Sequence, residues 1–171
     1  MSVFKAYDIR GIYGEELTPE FANRLGRAVV CHFDANSIAV GRDIRDSGPL
    51  LHRSFLDGII SSGCDVMDLG ITTTGALYRA SMDLEVDVSI MITASHNPPE
   101  YNGFKICKGT LPVAGEEIQE LRKTMESGEF REGKGRLIPT GDFQDLYLDV
   151  IMSNVGTVSY THLTLPTNHP V

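Results

Sequence analysis

Apolar positions along this chain follow two alternating periods, and the alternation outlines a fold. In "LTPEFANRLGRAVVCHF" Phe21, Leu25, Ala28 and Val29 fall on one face of a helix. Thr18 suits its N-cap and Pro19 its first helical position. "SIAVGRD" reads as a short buried strand that runs into a polar loop. The next helix is capped by Ser47 and has Pro49 near its start. Leu51, Phe55, Leu56 and Ile59 form its apolar stripe, and Gly63 stops it. "CDVMDLG" returns as a strand. "TTTGALYRASMDL" is a helix capped by Thr73 or Thr74, and "DVSIMIT" is a third strand. "YNGFKIC" predicts a fourth strand, joined to the third through a Pro-Pro turn. "GEEIQELRKTMESGE" is amphipathic, with Ile118, Leu121 and Met125 inward and glutamates in the first turn, where they suit the helix dipole. "GDFQDLYLDVIMSNV" starts as a helix.

Strands thus alternate with helices, and the crossovers are long enough for parallel βαβ units. The expected fold class is α/β, a three-layer α/β/α sandwich with a mainly parallel, mixed sheet. Ligands of such sheets sit beyond the carboxyl ends of the strands. The loops after Val40, Leu69 and Ile92 all lie on that edge. Residues 1–155 read as one domain. Residues 156–171, "GTVSYTHLTLPTNHPV", lose both charge and period and are expected to stand outside the fold. That ending resembles translated sequencing-adapter read-through.

With 171 residues, 42% of them hydrophobic, the chain can fill one core of ordinary size. A net charge of −8 with no Lys/Arg-rich run argues against a nucleic-acid or membrane-surface role. Cys31, Cys64 and Cys107 are far apart in apolar settings and read as buried thiols, neither disulfides nor metal ligands. No signal peptide opens the chain and no apolar run is long enough to span a bilayer, so a soluble cytoplasmic protein is expected.

The chemistry concentrates in "ITASHNPPEYNGFK", Ile92 to Lys105. Ser95 stands at a strand end, where a serine with a base in reach is a nucleophile. His96 is its neighbour, but consecutive side chains of an extended segment point to opposite sides, which makes a Ser–His dyad awkward. No GxSxG elbow is present, so a serine hydrolase is the weaker alternative. Composition alone is satisfied by a turn, since Asn97-Pro98 is a strong turn starter. Asn102-Gly103 permits a tight bend and close backbone approach. Lys105 follows on the paired strand, Arg10 sits at a strand-to-loop junction in "AYDIRG", and Arg42 and Arg45 lie in "GRDIRDSG". If these loops converge they form a cationic pocket fit for a phosphate. The bland reading of the arginines is surface ion pairing, Arg42 with Asp43 and Arg10 with Asp8.

"FKAYDIRGIYGEELTPE", "GRDIRDSGP" and "TASHNPPEYNGFK", in that order, resemble the first domain of the α-D-phosphohexomutases over about Val3 to Val155. The bacterial phosphomannomutase/phosphoglucomutase group is the nearer branch, with phosphoglucosamine mutases the alternative. The resemblance implies that Ser95 carries a phosphoryl group and passes it to a hexose phosphate through a hexose 1,6-bisphosphate. It implies Mg2+ on the serine phosphate, with Ser95 the only metal ligand this chain offers. It assigns Ser95, His96, Lys105 and Arg10 to catalysis, and Tyr7, Arg10, Asn97 and Lys105 to substrate binding. The family's metal, sugar and distal-phosphate loops belong to later domains, so the chain is expected to be domain one alone and incapable of turnover. A non-enzymatic sugar-phosphate-binding module is the competing reading.

Overall fold

The near-continuous apolar runs become central strands, because both faces of the sheet are covered. The computed structural model describes residues 3–141 and 143–155. In chain order they form β1 (Ile9–Ile12), α1 (Pro19–Phe33), β2 (Ser37–Arg42), α2 (Gly48–Ser61), β3 (Asp65–Ile71) and α3 (Thr74–Asp83). There follow β4 (Val88–Ile92), β5 (Tyr101–Lys108), β6 (Leu111–Pro112), α4 (Glu116–Ser127), β7 (Leu137–Ile138) and α5 (Phe143–Asn154). The sheet runs β1-β5-β4-β2-β3-β7, with β6 paired to β5. The β2–β3, β2–β4 and β3–β7 pairs are parallel, and those of β5 with β1, β4 and β6 antiparallel. This is the expected mixed α/β sheet. The short strands β6 and β7 have too little sequence for a period to show. The expectation for 156–171 lies outside the described residues. Among the described residues no helix is long and apolar enough to cross a membrane.

From β2 the chain crosses to β3 on one side, and from β3 it returns past β2 to β4 on the other. Right-handed crossovers in opposite directions put α2 and α3 on opposite faces. The burial pattern agrees. Ile38, Val40, Val88, Ile90, Ile92 and Phe104 pack in one cluster with α1, α2 and α4. Leu69 and Met91 pack in another with Ala76, Leu77 and Ala80 of α3 and Phe143 of α5. The register shift between Val40 and Gly41 makes Leu69 an extra residue of β3, and Leu69 packs on the α3 face.

The helix ends follow their local chemistry, with one exception. The Thr18 hydroxyl accepts from Phe21 N at 3.1 Å, and the Thr73 hydroxyl accepts from Ala76 N at 3.2 Å. Ser47 is not the side-chain cap the sequence suggested. Its backbone is already helical (φ −74°, ψ −16°), and its hydroxyl instead accepts from buried Asn102 Nδ2 at 2.7 Å. That bond ties the start of α2 to β5. The place where the sheet reverses its winding is therefore pinned just below the carboxyl edge of β2 and β4.

Candidate functional site

The loops leaving β2, β3 and β4 enclose a pocket of about 550 Å³, walled by Asp43–Arg45, Thr72–Thr74 and the segment that carries Thr93, Ser95 and Asn97. Ser95 is exposed at the crest of this last loop. Its φ is +57°, in the left-handed region. For a residue with a Cβ that conformation costs about 1–2 kcal/mol, so the surroundings must impose it. It also overturns the sequence argument about His96. That argument assumed extended backbone, whereas the left-handed turn brings Ser95 Oγ to 3.4 Å from His96 Nδ1.

The loop is tied from below. Thr93 Oγ1 donates to Asp43 Oδ2 at 2.7 Å and accepts from Ser95 N at 2.9 Å. Arg45 pairs with Asp43 and reaches four backbone carbonyls of the β4–β5 connection. Arg42 does not pair with the Asp43 carboxylate as the sequence suggested; it donates to the Asp43 carbonyl at 3.1 Å. The expected cationic pocket is correspondingly weaker, because the Arg45 guanidinium is spent on the loop itself.

Arg10 lies inside β1, opposite Gly103, and not at a strand-to-loop junction. Its guanidinium pairs with Asp8, as the ion-pair reading expected, and also donates to Asn97 Oδ1 at 3.0 Å. Its Nε is buried and has no hydrogen-bond partner. Asn97 thus links Arg10 to the Ser95 loop. Asn102 and Gly103 form no bend, since both belong to β5. Close approach was the correct half of that expectation: a Cβ at Gly103 would lie 2.4 Å from Ile9 O. Lys105 is half-buried on β5, opposite Met91, which lines the pocket. Burial pushes the neighbouring Cys107 thiol up, against the opposing influence of a Tyr78 hydrogen bond and the Lys105 charge. Tyr7 is 80% exposed and stands apart from the pocket wall.

The structure therefore brings Ser95, His96, Asn97 and Arg10 together, with Lys105 at the edge and Tyr7 outside. Sequence reading missed Thr93, gave Asp43 the wrong partner in Arg42, and took Arg45 for a surface charge. An Asp two residues before an Arg is a visible signal for local pairing. The carbonyl acceptors of Arg45 are backbone atoms, which no residue pattern advertises. Magnesium does not find a ligand set here. Among the described residues no three His, Cys, Asp or Glu side chains cluster to hold a metal, and Asp43, the carboxylate beneath Ser95, is engaged by Thr93 and Arg45.

Comparison with known proteins follows this geometry. The family described as "Phosphoglucomutase/phosphomannomutase, alpha/beta/alpha domain I" matches residues 1–132. A phosphomannomutase/phosphoglucomutase of Pseudomonas aeruginosa is 44% identical over 137 residues, which cover 78% of this chain and 30% of that protein. A phosphoglucomutase of Neisseria gonorrhoeae is 41% identical over 157 residues, covering 90% of this chain and 34% of the relative. A crystal structure of a phosphoglucomutase/phosphomannomutase family protein from Burkholderia thailandensis superposes with a TM-score of 0.83 at 36% identity, covering 90% of this chain and 36% of that one. The chain thus spans about a third of the length of these relatives.

Proposed function

Because the chain belongs to the phosphoglucomutase/phosphomannomutase family, we propose that it is the phosphoserine-bearing first domain of a phosphohexomutase, with Ser95 the residue that carries phosphate. The observation that carries the reading is the exposed Ser95 hydroxyl, held by a constrained turn at the mouth of the pocket with a histidine nitrogen 3.4 Å away. Phosphoryl transfer asks for positioning and charge stabilisation more than for covalent ingenuity. Ser95 Oγ bonds to phosphorus of a hexose 1,6-bisphosphate, the bond from phosphorus to the sugar oxygen breaks, and the serine proton ends on that oxygen. In this reading His96 Nδ1, 3.4 Å from Ser95 Oγ, relays the proton. In reverse the phosphoserine returns its group to the other hydroxyl of a hexose monophosphate, so that phosphate moves between positions 1 and 6.

Arg10 and Lys105 supply positive charge, each charge-assisted bond to a phosphate oxygen being worth about 1.5–3 kcal/mol. The unpartnered Arg10 Nε supports a place for an acceptor there. Asn97 holds Arg10 in register with the loop, and Tyr7 is left to meet the sugar from outside the pocket. Magnesium, which the resemblance implies, would be held among the described residues by the Ser95 oxygen and would supply positive charge to the phosphoryl group.

The test is peptide mass spectrometry after incubation with glucose 1,6-bisphosphate. Label should be substoichiometric and confined to Ser95, abolished by Ser95→Ala and reduced by Lys105→Ala without unfolding. Label chiefly on Ser47, Ser89 or the threonines of 156–171 would sink the assignment. A coupled assay from glucose 1-phosphate or mannose 1-phosphate to the 6-phosphate should stay at background. Residues 1–171 assayed by themselves offer one domain, which does not enclose a reorienting sugar, and differential transition-state binding is weak in an open site.

A further inference from the structure

We propose that Arg45 is a positioning residue for the Ser95 loop: with Asp43 and Thr93 it clamps the Ser95 peptide at both ends and holds it left-handed, and it contacts no substrate phosphate. The significance for catalysis rests on the phosphoserine reading above; the clamp itself does not. A guanidinium has five N–H donors in a fixed fork, and here all five are used. Nε points to Asp43 Oδ2 at 3.3 Å. Nη1 donates to Pro98 O at 2.7 Å and Tyr101 O at 3.0 Å. Nη2 donates to Ser95 O at 2.9 Å and Asn97 O at 2.7 Å. No donor remains for an anion, and the side chain is only 13% exposed.

The clamp closes through one carboxylate. Asp43 Oδ2 accepts a hydrogen bond from the Thr93 hydroxyl, and Thr93 Oγ1 accepts one from the Ser95 N–H. The Ser95 carbonyl is meanwhile held by Arg45, which pairs with the same Asp43. Asp43 is in turn fixed to the end of β4 by its own N–H, which donates to Ile92 O at 3.1 Å. Both hydrogen-bonding groups of the Ser95 peptide thus refer back to the carboxyl edge of the sheet. Ser95 is one of three non-glycine residues at positive φ among the described residues, and another, Asp34, ends α1 as a left-handed cap. Ser95 ends no helix, so its conformation needs another cause, and the clamp supplies it. Released, the loop relaxes toward extended backbone, where Ser95 and His96 point to opposite sides and the 3.4 Å contact opens. Lysine cannot replace this arginine, because a single ammonium with a spherical charge does not span four carbonyls and a carboxylate.

The experiment compares the full chain with Arg45→Lys and Thr93→Val by NMR. The Ser95 HN–Hα coupling, which reports φ, should move toward the extended value in Arg45→Lys, and exchange of the Ser95 amide should quicken at least about tenfold. The melting temperature should fall by no more than about 4 °C, because the loop lies outside both buried clusters. Thr93→Val removes only the tie to the Ser95 N–H and should reproduce the coupling change in milder form. It also decides the matter if Arg45→Lys fails to fold. Titration with inorganic phosphate should leave the Arg45 Nε–Hε resonance in place. Unchanged coupling and exchange in the folded variants would overturn the clamp, and a phosphate-dependent shift of Arg45 Nε–Hε would make it a ligand instead. Ser95 labelling by glucose 1,6-bisphosphate should fall at least about tenfold in Arg45→Lys. Absence of label in the unsubstituted protein would count against the phosphoserine reading alone, since the coupling and exchange still judge the clamp.

Discussion

The two faces of the sheet are built from different side chains. Toward α1, α2 and α4 the strands present Ile38, Val40, Val66, Ile90, Ile92 and Phe104, and Phe55 of α2 meets Phe104 at 5.1 Å between ring centroids. Toward α3 they present Gly41, Ser89, Met91 and Cys107, and α3 answers with Ala76, Leu77, Ala80 and Ser81. The buried Ser81 and Ser89 hydroxyls satisfy each other at 2.6 Å. Large side chains bury area and supply most of the hydrophobic stabilisation. Small ones let the segment that enters α3 come close: a Cβ at Gly41 would lie 2.4 Å from Thr72 Cγ2. The thin face thus lets Thr72–Thr74 descend to the carboxyl edge and form one wall of the Ser95 pocket. The thick side carries most of the buried area, and the thin side contributes one wall of the site.

The largest expected effect breaks the thick face. Phe55→Ala should cost about 3–5 kcal/mol by chemical denaturation. Leu77→Ala on the thin face should sit near the lower end of the range for such truncations, about 2–3 kcal/mol, because small neighbours and a one-sided helix can collapse into the space. Equal losses would remove the distinction.

A smaller effect comes from the His52–Asp68 pair set into the thick face. His52 of α2 lies 2.9 Å from Asp68 of β3. Burial pushes the Asp68 carboxyl up, but the His52 hydrogen bond, the Gly70 N–H and the charges of His52 and Arg42 together bring it below its usual value. A depressed carboxylate contributes stability that is present above the unfolded-state pKa of about 3.9 and is lost as pH falls through the lower folded value. Asp68→Asn should cost about 1 kcal/mol at neutral pH and nothing at the acid end of that window. Parallel stability curves for the two proteins would refute the linkage.

The smallest effect sharpens the contrast without perturbing the fold. Burial pushes the Cys64 thiol up to about 12, while Cys31 is half-buried. Iodoacetamide at pH 8 should modify Cys31 in the folded protein and reach Cys64 and Cys107 only after denaturant is added. Early modification of Cys64 would place it nearer the surface than the packing implies.

Much of this was legible in residues. Thr18 and Pro19 announced the start of α1, and Ile118, Leu121 and Met125 announced the buried stripe of α4. "TASHNPPEYNGFK" marked the loop with the nucleophile. Cooperation among distant groups was not legible. Ser47 looked like a cap until Asn102, 55 positions away, claimed its hydroxyl. Arg45 looked like a surface charge until four carbonyls converged on it.

Sequence by itself determined the α/β class, the four longer strands from β2 to β5, the helices that alternate with them, and the edge on which the candidate site lies. These follow from local periodicity and from the handedness of crossovers, both properties of contiguous segments. Tertiary structure alone decided that Ser95 is left-handed, that His96 turns to its side, and that Arg45 holds the loop and leaves nothing for a substrate. Each of these depends on backbone carbonyls brought together by folding, and a backbone carbonyl is the same group whatever residue carries it.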